Sequence, residues 1–165
     1  MPTIQMMATD IGAGHMIFNH TDDNYTFNTK VTSTTNGGPG TNAADNDITF
    51  NAGRTNMRGD LTQFVGPIKI DGATAIANIT DDAQLGNGSA TNTVSIDNGG
   101  TLEYGATTTS TRNLTLGTGG GNVGASAGAV ATVNGVISGT GALGVTGPGT
   151  VNLRGANTYE GGTEI

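Results

Sequence analysis

Short runs in which apolar and polar residues alternate recur along the whole chain. Met16–Phe18, Tyr25–Phe27, Ile48–Phe50, Ile68–Ile70, Val94–Ile96, Leu102–Tyr104, Leu114–Leu116, Val130–Val133, Leu143–Val145 and Val151–Leu153 each carry apolar residues on either side of one intervening position, or nearly so. A period of two puts alternate side chains on one face of the backbone, so each run is predicted to be a short strand with one buried face. Between the runs lie Gly, Asn, Asp and Thr, the residues of turns. No segment repeats with the 3.6-residue period of a helix.

Many short strands fit either a sandwich or barrel, or a solenoid. An internal repeat favours the solenoid. Residues 56–70, beginning Asn56-Met57-Arg58-Gly59-Asp60, align with residues 152–165, beginning Asn152-Leu153-Arg154-Gly155-Ala156. One inserted residue brings Thr62 onto Thr158, Phe64 onto Tyr159, Gly66 onto Gly161 and Ile70 onto Ile165. An offset of about 96 residues is too long for one turn of a solenoid, and corresponds to roughly four coils of about 20–25 residues. The expectation is a single segment over residues 1–165, about seven coils and roughly 34 Å long at the usual strand spacing.

Composition restricts what can fill such a core. Only 34% of the 165 residues are hydrophobic and 4% aromatic, while Gly supplies 29. Charged residues make up 12%, so this is not the highly charged composition of a disordered chain. Gly and Thr disfavour helix and suit a fold of many turns and strands. The net charge is −7, and Lys30, Arg54, Arg58, Lys69, Arg112 and Arg154 are scattered, so no basic stripe exists to neutralise phosphates and nucleic-acid binding is excluded. The absence of Cys removes disulfide frameworks and thiolate metal sites.

The segment Val136-Ile137-Ser138-Gly139-Thr140-Gly141-Ala142-Leu143, then Gly147-Pro148-Gly149-Thr150-Val151-Asn152-Leu153, then Gly155-Ala156-Asn157-Thr158-Tyr159-Glu160-Gly161-Gly162-Thr163 resembles the passenger-associated transport repeat of bacterial autotransporters. The residues carrying the motif are Gly139, Gly141, Leu143, Gly149, Leu153, Gly155, Asn157, Thr158, Tyr159, Gly161, Gly162 and Thr163. Upstream pieces such as Ala83-Gln84-Leu85-Gly86, Asn98-Gly99-Gly100-Thr101-Leu102 and Arg112-Asn113-Leu114-Thr115-Leu116-Gly117 are similar to the same passengers. Gly144-Val145-Thr146 departs from the family, which usually has a lysine-containing turn there. The resemblance implies an all-β, right-handed, single-stranded parallel β-helix with three short strands per coil. It also implies display on a Gram-negative outer membrane or secretion by the type V route, with a signal peptide and a C-terminal translocator barrel in the full protein. Neither shows here: Met1-Pro2-Thr3-Ile4-Gln5 lacks the basic and apolar regions of a signal, and the chain reads as a fragment of a longer passenger.

Candidate chemistry is sparse. Arg58-Gly59-Asp60 is the tripeptide that integrins read as a guanidinium and a metal-bound carboxylate, which makes it a possible cell-attachment loop. The matching position in the second copy is Arg154-Gly155-Ala156, so the Arg-Gly pair also belongs to the scaffold. Gly124-Ala125-Ser126-Ala127-Gly128 has the form of a nucleophile elbow but neither the helix nor a nearby His, since His15 and His20 lie far upstream. Gly37-Gly38-Pro39-Gly40-Thr41-Asn42 partly resembles a calcium-binding turn, with Asp45 and Asp47, or Asp22 and Asp23, as weak oxygen donors. Asp81, Asp82 and Glu103 are the carboxylates a polysaccharide-cleaving β-helix would require, yet no Trp and only three Tyr are present to form a sugar platform. No cofactor or metal is expected.

The sequence therefore predicts a structural or adhesive stalk segment without catalysis, whose partners are host-cell or bacterial surface ligands or further copies of itself. A self-assembling fibre subunit, joined through unpaired strand edges, and a β-helical polysaccharide-cleaving enzyme stand as alternatives.

Overall fold

The computed structural model describes residues 3–8, 14–35 and 45–165. Every strand pairing among them is parallel and joins one turn of the chain to the next, giving an all-β solenoid of about five turns. Period-two strands produce this arrangement because each coil buries its inward side chains against the same positions of its neighbours.

The first wall stacks His15–Asn19, the start of Asp47–Met57, then Ile68–Asp71, Val94–Asp97, Leu114–Leu116 and Ile137–Gly139. Its register builds two inward columns. One runs Met16, Ile48, Ile68, Val94, Leu114, Ile137; the other runs Phe18, Phe50, Ile70, Ile96, Leu116, Gly139. Between them Lys69 and Thr115 point out to solvent. From Ile48 and Phe50 through Leu114 and Leu116 these inward residues are almost fully buried, and each such side chain contributes about 1.5–3 kcal/mol.

The second wall stacks Tyr25–Phe27, the end of Asp47–Met57, Ala75–Ile79, Gly100–Tyr104, Gly121–Ala125, Leu143–Thr146 and Thr163–Glu164. The single strand Asp47–Met57 serves both walls, turning at Gly53 with φ of +79°. Its left-handed conformation suits glycine, and a Cβ there would meet the His20 ring at 2.3 Å.

The third wall is less regular than three strands per coil. Thr3–Ala8 pairs with Lys30–Thr35, and Thr108–Ser110, Val130–Val133 and Thr150–Leu153 pair with one another. Between these sets the coils pass through residues 60–64 and a 3-10 turn, Asp82–Leu85. Val31 N donates to Asp60 O, Ser33 N to Gln63 O and Asn87 N to Phe64 O, so the coil-to-coil hydrogen bonding continues where no strand forms. Leu61, Phe64 and Leu85 fill the interior there.

Two expectations change. The described residues make about five turns, where seven coils were expected of residues 1–165, and coil length varies: the first-wall partners His15 and Asp47 are 32 residues apart, Ile48 and Ile68 are 20, and Ile68 and Val94 are 26. The two similar stretches, 56–70 and 152–165, occupy different walls. Met57 ends a second-wall strand and Ile68–Asp71 lies on the first wall, whereas Leu153 is on the third and Thr163–Glu164 on the second. What they share is local: Gly59 and Gly155 each press against a carbonyl of the preceding coil, where a Cβ would sit 2.0 Å from Thr29 O and 2.1 Å from Gly135 O.

Candidate functional site

The Arg58-Gly59-Asp60 turn leaves the end of the long strand and crosses toward the third wall. Arg58 Nη1 donates to Met57 O at 2.7 Å and Asn78 O at 3.1 Å, and Nη2 donates to Asn78 Oδ1 at 2.6 Å. Gly59 is buried. Asp60 Oδ1 accepts from Thr62 Oγ1 at 2.6 Å and Thr62 N at 2.9 Å, and Oδ2 lies 3.1 Å from Lys30 Nζ. The Thr62 hydroxyl, then its backbone N–H, then Lys30 hold the Asp60 carboxyl down at about 2. That carboxylate favours the folded turn above its ordinary titration range, and its contribution is lost as pH falls toward 2. Burial pushes the Arg58 guanidinium pKa down, with Arg54 adding to the effect. Both charged groups of the tripeptide are thus turned to partners within the fold.

Polar side chains on the outer face of the second wall form a spine across the coils. Asn56 Nδ2 donates to Asn24 Oδ1 at 2.9 Å, and Asn78 Nδ2 donates to Glu103 Oε1 at 3.1 Å. Arg54 donates both guanidinium ends to Glu103, at 2.5 and 2.6 Å, and the Ser126 hydroxyl also donates to Glu103. Register places Arg54 beside Ile76 and Ile76 beside Thr101, so the Arg54–Glu103 pair reaches past an intervening coil. The Arg54 hydrogen bonds lower the Glu103 pKa, against burial and with help from Ser126 and Asn78. Asn78, 1% exposed, is the buried hinge between Arg58 and Glu103.

The sequence's candidate acids are not brought together. Asp81 caps the 3-10 turn by accepting from Ala83 N at 2.8 Å, Asp82 pairs with Arg112, and Glu103 pairs with Arg54 on another wall. Ser126 lies after a strand rather than before a helix, and its hydroxyl is spent on Glu103. His15 Nδ1 lies 2.9 Å from Asp47 Oδ1, and Lys69 Nζ donates to Asp47 Oδ2 at 2.8 Å. Burial raises the Asp47 pKa, but these Lys69 and His15 contacts outweigh it and leave the carboxyl below its ordinary value. His20 Nε2 meets Thr55 Oγ1 at 2.9 Å, and its ring packs on Tyr25 with centroids 5.1 Å apart. Among the described residues no three of His, Asp and Glu gather to hold a metal. The Gly37–Asn42 turn lies outside the described residues. Tyr104 is buried in the core, and that burial pushes its phenol up to about 12, which leaves it no platform for a sugar.

Several transport-repeat glycines lie at points of closest approach between coils. A Cβ at Gly139 would be 2.0 Å from Leu116 O, at Gly141 1.9 Å from Gly117 O, and at Gly149 2.3 Å from Ser126 O. Asn157 Oδ1 accepts from Ile137 N and Thr158 N donates to Ile137 O, both at 2.9 Å, while Tyr159 OH meets Thr163 Oγ1 at 2.5 Å. Leu143 is fully buried, Leu153 and Tyr159 pack against the core, and Gly161 and Gly162 lead into Thr163, which pairs with Leu143.

One constellation went unnoticed in the sequence. Arg112, read there as one of six scattered basic residues and as the start of a passenger-like stretch, is 9% exposed and holds residues 86–93 through Asn92 and Asp82. The available signal was spacing: the runs Ile68–Ile70 and Val94–Ile96 stand further apart than those on either side.

Over 120 residues, 69% of this chain, the sequence is 38% identical to the Adhesin BmaC autotransporter of Brucella suis biovar 1 (strain 1330). The chain spans 4% of that relative's length. No family model matches the chain, and no solved structure does.

Proposed function

Because this chain belongs to the autotransporter passengers and forms a β-helical part of one, exposed at the bacterial outer surface or released from it, we propose that it is a rigid, adhesive and non-catalytic segment of a much longer surface adhesin. The supporting observation is the unbroken register of the first wall, in which side chains from Ile48 to Ile137 stack in one column across the coils. Parallel coils joined this way resist bending because every coil is hydrogen-bonded and packed on both sides. The segment's work is to hold contact surfaces at fixed spacing, away from the membrane, for ligands on host or bacterial surfaces. A translocator barrel follows from the same reading, in the full protein.

The test is made in the full-length surface protein. Residues 68–137 are replaced by a Gly/Ser linker of equal residue number, which is flexible where the coils are stiff. Attachment to host cells is expected to fall strongly while antibody staining shows unchanged display. Undiminished attachment would reject the reading. Turnover of acidic or neutral polysaccharide by the 165-residue chain would reject its non-catalytic part.

A further inference from the structure

We propose that the cleft beside residues 86–93, on the side of the solenoid where the 3-10 turn meets the first wall, binds a neutral, polyhydroxylated ligand, a short stretch of glycan. This deepens the adhesive reading above by assigning a ligand class to one place in the segment.

The geometry begins with coil length. Ile68 follows its first-wall partner Ile48 by 20 residues and Leu114 follows Val94 by 20, but Val94 follows Ile68 by 26. Neighbouring coils close with the shorter length, so the additional residues leave the solenoid as an outward loop, and residues 87–91 are exposed.

The loop is nevertheless fixed. Arg112 Nε donates to Asp82 Oδ2 at 2.8 Å and Nη1 to Asn92 Oδ1 at 2.6 Å. Nη2 donates to the backbone oxygens of Gly86 at 2.6 Å and Asp82 at 3.2 Å. Asn92 in turn accepts from Gly88 N at 2.9 Å and donates to Gly66 O at 2.7 Å, and Thr91 Oγ1 donates to Val65 O at 2.8 Å. A buried arginine, a buried asparagine and the preceding coil thus set an exposed polar loop in one position. Binding surfaces gain from such preorganisation, because the ordering cost falls on folding rather than on association.

The cleft against this loop has a volume of about 610 Å³, within the range of small-molecule sites. Its lining decides the ligand. Among the described residues Asp82 and Arg112 are the only charged ones lining it, and they neutralise each other at 2.8 Å. Four of the five guanidinium N–H groups already donate within the fold and Asp82 balances the charge, so an anion would find little free positive charge. Among the described residues Ala83 and Ala90 are the only apolar side chains lining it, so a hydrophobic ligand would bury little side-chain surface. Asn87, Ser89, Thr93, Thr111 and Asn113 supply hydroxyls and amides, which donate and accept together. A sugar's hydroxyls have the same dual character. With no aromatic face to stack on, the contact is weak singly and gains strength from many copies on one surface.

The experiment uses the whole 165-residue chain, with isotope-labelled backbone amides observed by NMR. Lacto-N-tetraose represents neutral host glycans, isomaltotriose represents neutral bacterial polysaccharide, and 3′-sialyllactose is the charged control. At least one neutral probe is expected to shift amides of residues 87–93 and 111–113 saturably, with a dissociation constant of about a millimolar. Which neutral probe does so separates a host from a bacterial source. Thr111→Leu, which removes a lining hydroxyl and crowds the cleft from an exposed position without offering an aromatic face, is expected to weaken binding by about tenfold or more, and Thr115→Leu, exposed on the first wall, leaves it unchanged. No saturable shift with either neutral probe, tighter binding of the sialylated one, or an unaltered affinity in Thr111→Leu of normal melting temperature would each overturn the proposal. None of those results bears on the rod itself, which the linker replacement tests separately.

Discussion

The corner between the first and second walls is filled in opposite ways in two parts of the molecule. In the coils from Ile48 to Leu116 the last inward residue of the first wall is large and the first inward residue of the second wall is small: Phe50 with Gly53, Ile70 with Ala75, Ile96 with Gly100, Leu116 with Gly121. In the next coil the order reverses, and Gly139 is followed by Leu143. The backbone spacing of the ladders is the same in both, so the corner has a fixed volume that one large side chain occupies from either side. The contacts show how little room is left: a Cβ at Gly121 would lie 2.4 Å from Ile96 Cγ2, and one at Gly100 would lie 3.0 Å from Ile70 Cγ2. The early coils also hold aromatic rings, with Phe18 stacked on Phe50 at 4.9 Å and edge-on to Phe27 at 5.1 Å. A chain this poor in large apolar residues excludes water by placing each one where a glycine or alanine makes space for it.

The comparison is broken most severely by emptying a corner. Phe50→Ala removes the stacked ring and is expected to cost about 3–5 kcal/mol in chemical denaturation. Leu143→Ala empties the reversed corner, where Gly139 offers nothing to refill it; with half-buried Val145 two residues along the same strand to relax, about 2–3 kcal/mol is expected from the same measurement. A loss as small as that of a surface substitution would show that the reversed corner is not packed.

Overfilling sharpens the argument further. Gly121→Val is expected to destabilise by about 1–3 kcal/mol through contact with Ile96. Combined with Ile96→Ala it should cost less than the sum of the two single changes, by about 0.5 kcal/mol or more in a double-mutant cycle. Strict additivity would mean that the two positions do not share one volume.

Outside the walls the effects shrink. Glu103→Gln retains an acceptor for Arg54 but loses the ion pair, and about 1 kcal/mol is expected at neutral pH, since both side chains are partly reached by water. The folded-state pKa of Glu103 lies below its ordinary 4.5, so its contribution is fully present above that value and is lost as pH falls through the folded pKa. Melting temperature against pH should therefore decline less steeply below about 4.5 in the variant than in the parent chain. A parallel decline would remove Glu103 from the account. Smallest of all, Asp60→Glu is expected to leave integrin-dependent cell attachment unchanged, because Arg58 and Asp60 are both engaged within the turn; a specific loss of attachment would reinstate the tripeptide as a ligand.

Much of this architecture was legible in the pattern of the chain. Ile68 and Ile70, Val94 and Ile96, Leu102 and Tyr104, Leu114 and Leu116 were all assigned an inward face by alternation alone, and all are buried. Within Val130–Val133 the alternation holds but through Ala131 and Val133, because the strand begins one residue before its buried phase. The glycines of the transport repeat were legible as a motif, though the reason for Gly139, Gly141, Gly149 and Gly155, a carbonyl of the preceding coil at contact distance, was not. The Arg112 clasp and the Arg54–Glu103 pair were not legible at all, since each joins residues 20 to 49 positions apart.

The amino-acid sequence by itself determined which side chains turn inward, because a strand's two faces follow from a strictly local period of two. It also determined that the fold must be built of strands and turns, because glycine and threonine weaken helices. Only the tertiary structure decided which inward residue meets which, how Gly121 makes way for Ile96, and which polar groups close on Arg112 and Glu103. Those pairings depend on the number of residues each coil takes to return to its starting wall, and that number is set by corner and loop geometry that alternation does not encode.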